Sequence, residues 1–284
     1  MDVLTLESLT ERANAIRKDV IKMLEKAGSG HAAGSLGMAD IVTALYFNIL
    51  NHDPENPLWE ERDRLILSNG HICPVRYVAM SHAGYIPMAQ LKTLRQFGSD
   101  LQGHPERVRI PALETTSGPL GSGLAQAAGI AAAAKLDQKR FRIYCLTSDG
   151  EHDEGNHWEA VMFAAKYKLS NLTVFVDRNN IQIDGHTEHV MPLNSLTDKY
   201  RSFNWHTLVI DGHDFPEILN AVKLARAVYD KPTVIIANTV PGKGVSYMEG
   251  KPTWHGKAPN KEEALIALKD LRTLEGKIES GHDQ

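Results

Sequence analysis

The run Ile143-Tyr144-Cys145-Leu146-Thr147-Ser148-Asp149-Gly150 and its successor, Leu172-Thr173-Val174-Phe175-Val176-Asp177-Arg178-Asn179-Asn180, decide how this chain is read. In neither do apolar and polar residues alternate, which fits strands buried on both faces of a parallel sheet. Both end in Asp, Asn or Gly. A helical pattern starting near Gly155 lies between them, so they form a strand–helix–strand unit whose strand ends share one edge. Open parallel sheets bind ligands beyond that edge. There the Asp149 carboxylate and the Asn179 amide oxygen can face one hard cation, and Mg2+ takes such oxygen donors and often bridges to a diphosphate. Gly150 allows close backbone approach, and the following helix start favours negative charge. Taken alone, the same residues read equally as turns.

Working outward, similar apolar runs occur at 65–67, 208–210 and 234–236. Helical patterns lie at about 71–83, 88–97, 121–137, 155–169 and 214–229. The alternation predicts an α/β layered domain. Upstream, Ser8-x-x-Glu11 is a capping-box pattern opening a helix that stops at Gly28. A second apolar-periodic stretch covers about 38–50, and Asp214-Phe215-Pro216-Glu217 is another capping box. Residues 98–123 and 241–260 are Gly- and Pro-rich, fit neither pattern and are expected to be functional or mobile loops. With no repeat or linker, 1–284 reads as one domain, in which 261–284 are a C-terminal helix (about 262–278) and a frayed tail.

Lys and Arg total 31 against 35 for Asp and Glu, which argues against a nucleic-acid binder driven by phosphate contacts. No apolar run approaches the roughly 18 residues of a membrane span. The first residues, MDVLTLESLTER, lack the pattern of a signal peptide. Cys73 and Cys145 suggest core packing rather than a disulfide or zinc site, and the expected compartment is the cytoplasm.

Asp149-Gly150, a helix and then Asn179 resemble the diphosphate-binding motif of thiamin diphosphate enzymes. Gly30-His31, Leu36-Gly37-Met38-Ala39, Ser68-Asn69-Gly70-His71, Gly103-His104-Pro105-Glu106, Thr115-Thr116-Ser117-Gly118-Pro119-Leu120-Gly121 and Val176-Asp177-Arg178-Asn179 resemble transketolase, in that family's order. The resemblance spans about 10–260 and covers the N-terminal, diphosphate-binding part of a full transketolase. It implies the thiamin diphosphate-binding fold, a parallel sheet with helices on both faces. It implies Mg2+ (or Ca2+ or Mn2+) held by Asp149, Asn179 and the Ile181 carbonyl, with Ser148, Asp149 and Gly150 around the diphosphate. His31 and His255 would contact substrate and transfer protons, His255 also lying by the cofactor. His71 would contact cofactor and substrate, and His104 the sugar hydroxyls. Gly118, Pro119 and Leu120 match the loop against the aminopyrimidine. Glu154 and Glu159 match acids of a carboxylate network across the dimer interface. Asp177 matches an acid near the cofactor and reads equally as a strand-end turn. The other nine histidines (His52, His82, His152, His157, His186, His189, His206, His213 and His282) read as structural or surface residues.

Three departures stand out. Ser148 replaces the motif's first glycine, Ala32 stands where proline usually follows the first histidine, and Glu151, Asp153 and Glu154 are expected to crowd the site with charge unless they point away. The resemblance implies ketol transfer from a ketose to an aldose, sugar phosphates included. It also implies a separate partner chain carrying the pyrimidine-binding half, as an α2β2 heterotetramer. The alternatives are a chain of another thiamin enzyme, such as deoxyxylulose-phosphate synthase or a 2-oxoacid dehydrogenase, and a non-catalytic paralogue regulating a partner. An unrelated Mg2+-nucleotide binder lacks support, since no Gly-x-x-x-x-Gly-Lys-Ser/Thr loop is present.

Overall fold

Each apolar run becomes a strand of one parallel sheet in the computed structural model, which describes residues 3–183 and 185–273. The chain opens with α1 (Leu6–Ala27), α2 (Ala32–Gly37), α3 (Ala39–Ala44) and a π-helical turn at Leu45–Ile49. Then come β1 (Arg64–Leu67), α4 (Cys73–His82), α5 (Ser122–Leu136), β2 (Ile143–Ser148), α6 (Gly155–Lys166) and β3 (Leu172–Arg178). A short excursion follows: β4 (Ile181–Gln182), β5 (Gly185–His186), α7 (Thr187–Val190) and α8 (Leu196–Ser202). The domain is completed by β6 (His206–Asp211), α9 (Phe215–Arg226), β7 (Thr233–Asn238) and α10 (Lys261–Thr273). The sheet order is β1-β2-β3-β7-β6, parallel throughout.

Alternate residues of the central strands feed two cores. Tyr144, Leu146, Phe175, Ile235 and Ala237 pack with α1 to α4, α9 and α10. Ile143, Cys145, Val174, Val176 and Val234 pack with α5, α6 and α8. Helices thus cover both faces, as the unbroken apolar runs require. The exception is β6, expected to be buried like the rest. It is an edge strand, only Ile210 of it is buried, and Val209 is 55% exposed. Its apolar run looks like the others in sequence, and β1 at the opposite edge is buried at Leu65, Ile66 and Leu67; what differs is that the face of β6 carrying Val209 is left uncovered.

Local chemistry sets the helix ends. The cap of α1 is Thr5 rather than Ser8: Thr5 Oγ1 accepts from the Ser8 amide at 3.2 Å. Gly28 ends the helix in the left-handed region, its N–H donating to the Leu24 carbonyl at 2.9 Å. The second capping box holds in half: Asp214 caps α9 through the Glu217 amide at 2.8 Å, but Glu217 turns to the Asp211 amide, also at 2.8 Å. Residues 88–97 form a 3₁₀ segment, Met88–Thr93, instead of the expected α-helix, and the stretch 38–50 divides into α3 and the π turn. The antiparallel β4–β5 pair, α7 and α8 have no counterpart in the sequence reading. Helix α10 docks on α1, where Asn14 Nδ2 donates to the Leu271 carbonyl at 2.9 Å. The expected tail at 281–284 and the end of the expected last helix lie outside the described residues. Among the described residues no helix is long and apolar enough to cross a membrane, and both cysteines are buried free thiols.

Candidate active site

The carboxyl ends of β1, β2, β3 and β7 converge, and the candidate residues sit just beyond them. Asp149 is fully buried, and its Oδ1 accepts from the Gly150 amide at 2.8 Å. Its Oδ2 accepts from the Asn180 amide at 2.7 Å and from Arg178 Nη1 at 3.1 Å. Asn179 is oriented from both sides: Nδ2 donates to Asp177 Oδ2 and Oδ1 accepts from the Ile181 amide, each at 2.9 Å. The Asp177 carboxyl also accepts from Thr239 Oγ1 and is 1% exposed. Burial first, opposed by the Thr239 hydrogen bond and aided by neighbouring Asp149, brings it up to about 7. Asp177 therefore bears on the site through Asn179.

Among the described residues no group of three His, Cys, Asp or Glu side chains could hold a metal. One carboxylate, one amide oxygen and the Ile181 carbonyl make a different set, all hard oxygen, with few ligands of their own. Such a set suits Mg2+, which keeps several waters and takes phosphate oxygens. These residues fit the cation and diphosphate expected of them. Asn69 fits a bound group as well: it is fully buried beside His71, and neither atom of its amide has a protein partner.

Three candidate histidines, far apart in sequence, form one ring cluster. His31 and His71 centroids are 4.9 Å apart, His31 and His255 are 5.4 Å apart, and His71 and His255 are 5.2 Å apart. His31 precedes α2, His71 lies in the 3₁₀ turn Gly70–Ile72, and His255 follows the 3₁₀ turn Pro252–Trp254. A Cβ on Gly70 would lie 2.5 Å from Ser117 Cβ, so only glycine lets loop 115–118 pass this close to His71. His104 is exposed at the mouth of the cluster. Burial first, and then His255, Arg95 and His104, bring His31 down to about 4. Burial first, and then His255, His31 and His104, hold His71 well below its ordinary value. His104 is lowered by burial and Arg95. Neutral imidazoles offer one donor and one acceptor each, which suits sugar hydroxyls.

His31 should therefore stay neutral from about pH 5.5 to 8. Its ring resonances, assigned with His31→Gln, should not shift across that range, and a midpoint near 6.5 would contradict a desolvated ring. For stability the sign is fixed. Between the unfolded value of about 6.5 and the folded value of about 4, the unfolded chain takes up a proton that the folded ring refuses. That contribution is present above pH 6.5 and is lost as pH falls toward 4.

The acidic run does not crowd the diphosphate position as a block. Glu151 is fully buried and bound to Ser68, Ser148 and Gly121. Asp153 accepts from Gln182 Nε2 at 2.6 Å, and Glu154 is exposed. The loop 118–121 lies beside them, Gly118 and Gly121 having φ of +151° and +80° and Leu120 being 36% exposed. Glu159 is exposed on α6. His152 and His157 are core residues. The His152 Nδ1–H donates to the Ser148 carbonyl at 2.9 Å, its Nε2 accepts from Tyr200, and His157 Nε2 bonds the same hydroxyl at 2.7 Å. His213 bridges Asp40 and the Val240 amide.

Sequence reasoning gave no role to Asn69, Glu151, Arg95 or Arg178. Asn69 had a signal in its place within Ser68-Asn69-Gly70-His71. Arg178 likewise stood within Val176-Asp177-Arg178-Asn179, whereas the burial of Glu151 and the neighbours of Arg95 are revealed only by the fold. Arg95, Gln102, His104 and Arg109 line a cavity of about 440 Å³ beside the histidines.

The family described as "Transketolase, thiamine diphosphate binding domain" matches residues 8–276. The chain belongs to the transketolase family. The 6-deoxy-6-sulfo-D-fructose transketolase subunit of a Clostridium species is 43% identical, over 93% of this chain and 96% of that one. An apulose-4-phosphate transketolase subunit of Phocaeicola vulgatus is 38% identical, over 98% of each. Among solved structures, the Campylobacter jejuni transketolase superposes with a TM-score of 0.90 at 36% identity, covering 95% of this chain but 43% of that one. The transketolase domain thus has the fold of the first part of a long transketolase and spans almost the whole of the two subunits.

Proposed function

We propose that this chain is the diphosphate-binding subunit of a split transketolase, moving a two-carbon ketol unit from an anionic ketose to an aldose. The observation that carries this reading is the ring cluster of His31, His71 and His255 on the same sheet edge as Asp149 and Asn179. Asp149, Asn179 and the Ile181 carbonyl would hold Mg2+. Ser148, Gly150 and His71 would line the diphosphate arm, and Gly118 to Leu120 the aminopyrimidine. Bound thiamin diphosphate supplies the carbanion chemistry that breaks the ketose C2–C3 bond. The protein's part is to hold the sugar. His104 meets hydroxyls at the mouth, while His31 and His255 hydrogen-bond the reacting oxygen and carry its proton. Arg95 and Arg109 in the adjoining cavity favour an anionic substrate, phosphorylated or sulfonated.

A partner chain fits the surface. On the outer side of α5 and α6, Leu136, Met162, Phe163 and Tyr167 are 83%, 50%, 40% and 53% exposed. Apolar exposure of this kind marks interaction surfaces. A pyrimidine-binding partner lying along both helices, from this patch to the start of α5, would close over Leu120, and two such pairs would make an α2β2 assembly in the cytoplasm. Ser148 and the acidic run, departures that would suit a non-catalytic paralogue, are accounted for by the Ser148–Glu151 contact and by the exposed Glu154.

Reconstitution tests this. With Mg2+ and thiamin diphosphate, the chain alone should transfer no ketol unit, and the chain purified with its partner should. Turnover by the chain alone overturns the split-enzyme reading. A complex that neither keeps cofactor nor turns over overturns the enzyme reading.

A further inference from the structure

We propose that Glu151 is a positioning residue that couples the loop at 118–121 to the strand end carrying Asp149; its functional consequence rests on the cofactor reading above. The carboxylate is fully buried. Its Oε1 accepts from Ser68 Oγ at 2.5 Å and from the Gly121 amide at 3.3 Å. Its Oε2 accepts from the Ser148 amide at 3.0 Å and from Ser148 Oγ at 3.2 Å. Ser68 Oγ in turn accepts from the Gly123 amide at 3.1 Å. One side chain thus joins the ends of β1 and β2 to the start of α5.

Each carboxylate oxygen faces a backbone N–H, which can only donate. Both oxygens must therefore accept, and glutamine cannot satisfy both. Burial pushes the carboxyl up to about 7, the hydrogen bonds from Ser68, Ser148 and Gly121 oppose this, and the basic group beside it, His157 at 4.0 Å, is kept neutral by burial; the four donors fix the orientation of the carboxyl. Ser148, the departure from the family's glycine, contributes a hydroxyl to the same carboxylate, so the two unusual residues form one device.

The two sides depend on Glu151 unequally. The Asp149 side has its own ties: Asp149 to the Gly150 and Asn180 amides, and His152 to the Ser148 carbonyl. At the start of α5, the Gly121 and Gly123 amides are tied through Glu151 and Ser68. Loss of Glu151 should therefore release the pyrimidine side and spare the diphosphate side.

Amide hydrogen exchange on the full chain reads this directly. In Glu151→Gln and Glu151→Ala, Gly121 and Gly123 should exchange about tenfold faster while Gly150 and Asn180 keep their protection. In the partner complex, the Kd for thiamin diphosphate should rise about tenfold, and inhibition by Mg2+-pyrophosphate, which lacks the pyrimidine, should change by less than about twofold. Unchanged exchange at Gly121 and Gly123 overturns the proposal, as does an equal weakening of both ligands. Should Glu151→Ala lose protection everywhere, Ser68→Ala leaves the carboxylate in place and should loosen Gly123 selectively; no selective change there also overturns it. A wild-type complex that binds no thiamin diphosphate overturns the cofactor reading, and the exchange result then decides the coupling by itself.

Discussion

Asparagine in place of Asp149 should leave a folded protein whose complex no longer retains thiamin diphosphate in Mg2+. The substitution keeps the shape and one carbonyl oxygen but removes the charge a hard dication needs. Changes beyond a metal's own ligands already cost 10- to 100-fold in affinity, so loss of a ligand's charge should cost about 100-fold or more. The structural cost is smaller. An amide NH2 would face the Gly150 or the Asn180 N–H, each now bound to a carboxylate oxygen, at about 1–3 kcal/mol. Arg178 is not stranded, because its other end holds Glu188 at 2.5 Å. Calorimetric titration of the complex, beside a thermal melt, separates the two effects. Unchanged affinity would remove Asp149 from the ligand set.

Alanine at Gly123 should be the most damaging single methyl group near the site. The residue lies in the first turn of α5, where alanine suits the helix better than glycine by nearly 1 kcal/mol. Packing reverses that sign. The added Cβ would lie 2.4 Å from Ser68 Cβ and 2.5 Å from Ser68 Cα, so either α5 or the end of β1 has to move. Overpacking of this kind costs about 1–3 kcal/mol, and the backbone clash argues for the upper end. At roughly 2–4 °C per kcal/mol, melting should fall by about 5–10 °C. His71 is three residues beyond Ser68, so cofactor binding should weaken too. A melting point unchanged or raised would mean that β1 and α5 are looser than the structure shows.

The sheet was legible because runs such as Leu172 to Val176 are apolar without alternation, a pattern that only two-sided burial explains. It failed at β6, whose run is as apolar as that of β1 at the opposite edge; which edge strand is covered on both faces is a property of tertiary packing, which no local pattern encodes. The β4–β5 pair has two residues in each strand and gives no periodicity. Thr5 and Ser8 are both good caps, and only the backbone turn at Thr5 chooses between them. In the site, Asp149 and Asn179 could be placed because a strand–helix–strand unit aligns its own ends. The histidines were nameable only through resemblance, since residues 31, 71 and 255 share no local motif. Glu151 read only as charge that would crowd the site unless it pointed away, and its actual place has a physical reason. An acid in an acidic run looks solvated until Ser68 and Gly121, distant in sequence, supply the donors that bury it.

The docking of α10 on α1 has a consequence for synthesis. Ala264, Ala267 and Leu271 belong to the same core as Leu9, Ile16 and Val20, so that core cannot close until residue 271 is available. Helices α2 to α4, made early, cover part of α1, but at about 5–20 residues per second the part that meets α10 stays uncovered for on the order of 10 to 50 s. The first helix made is among the last to be sealed, and in that interval its solubility falls to the ribosome surface and to chaperones rather than to the fold.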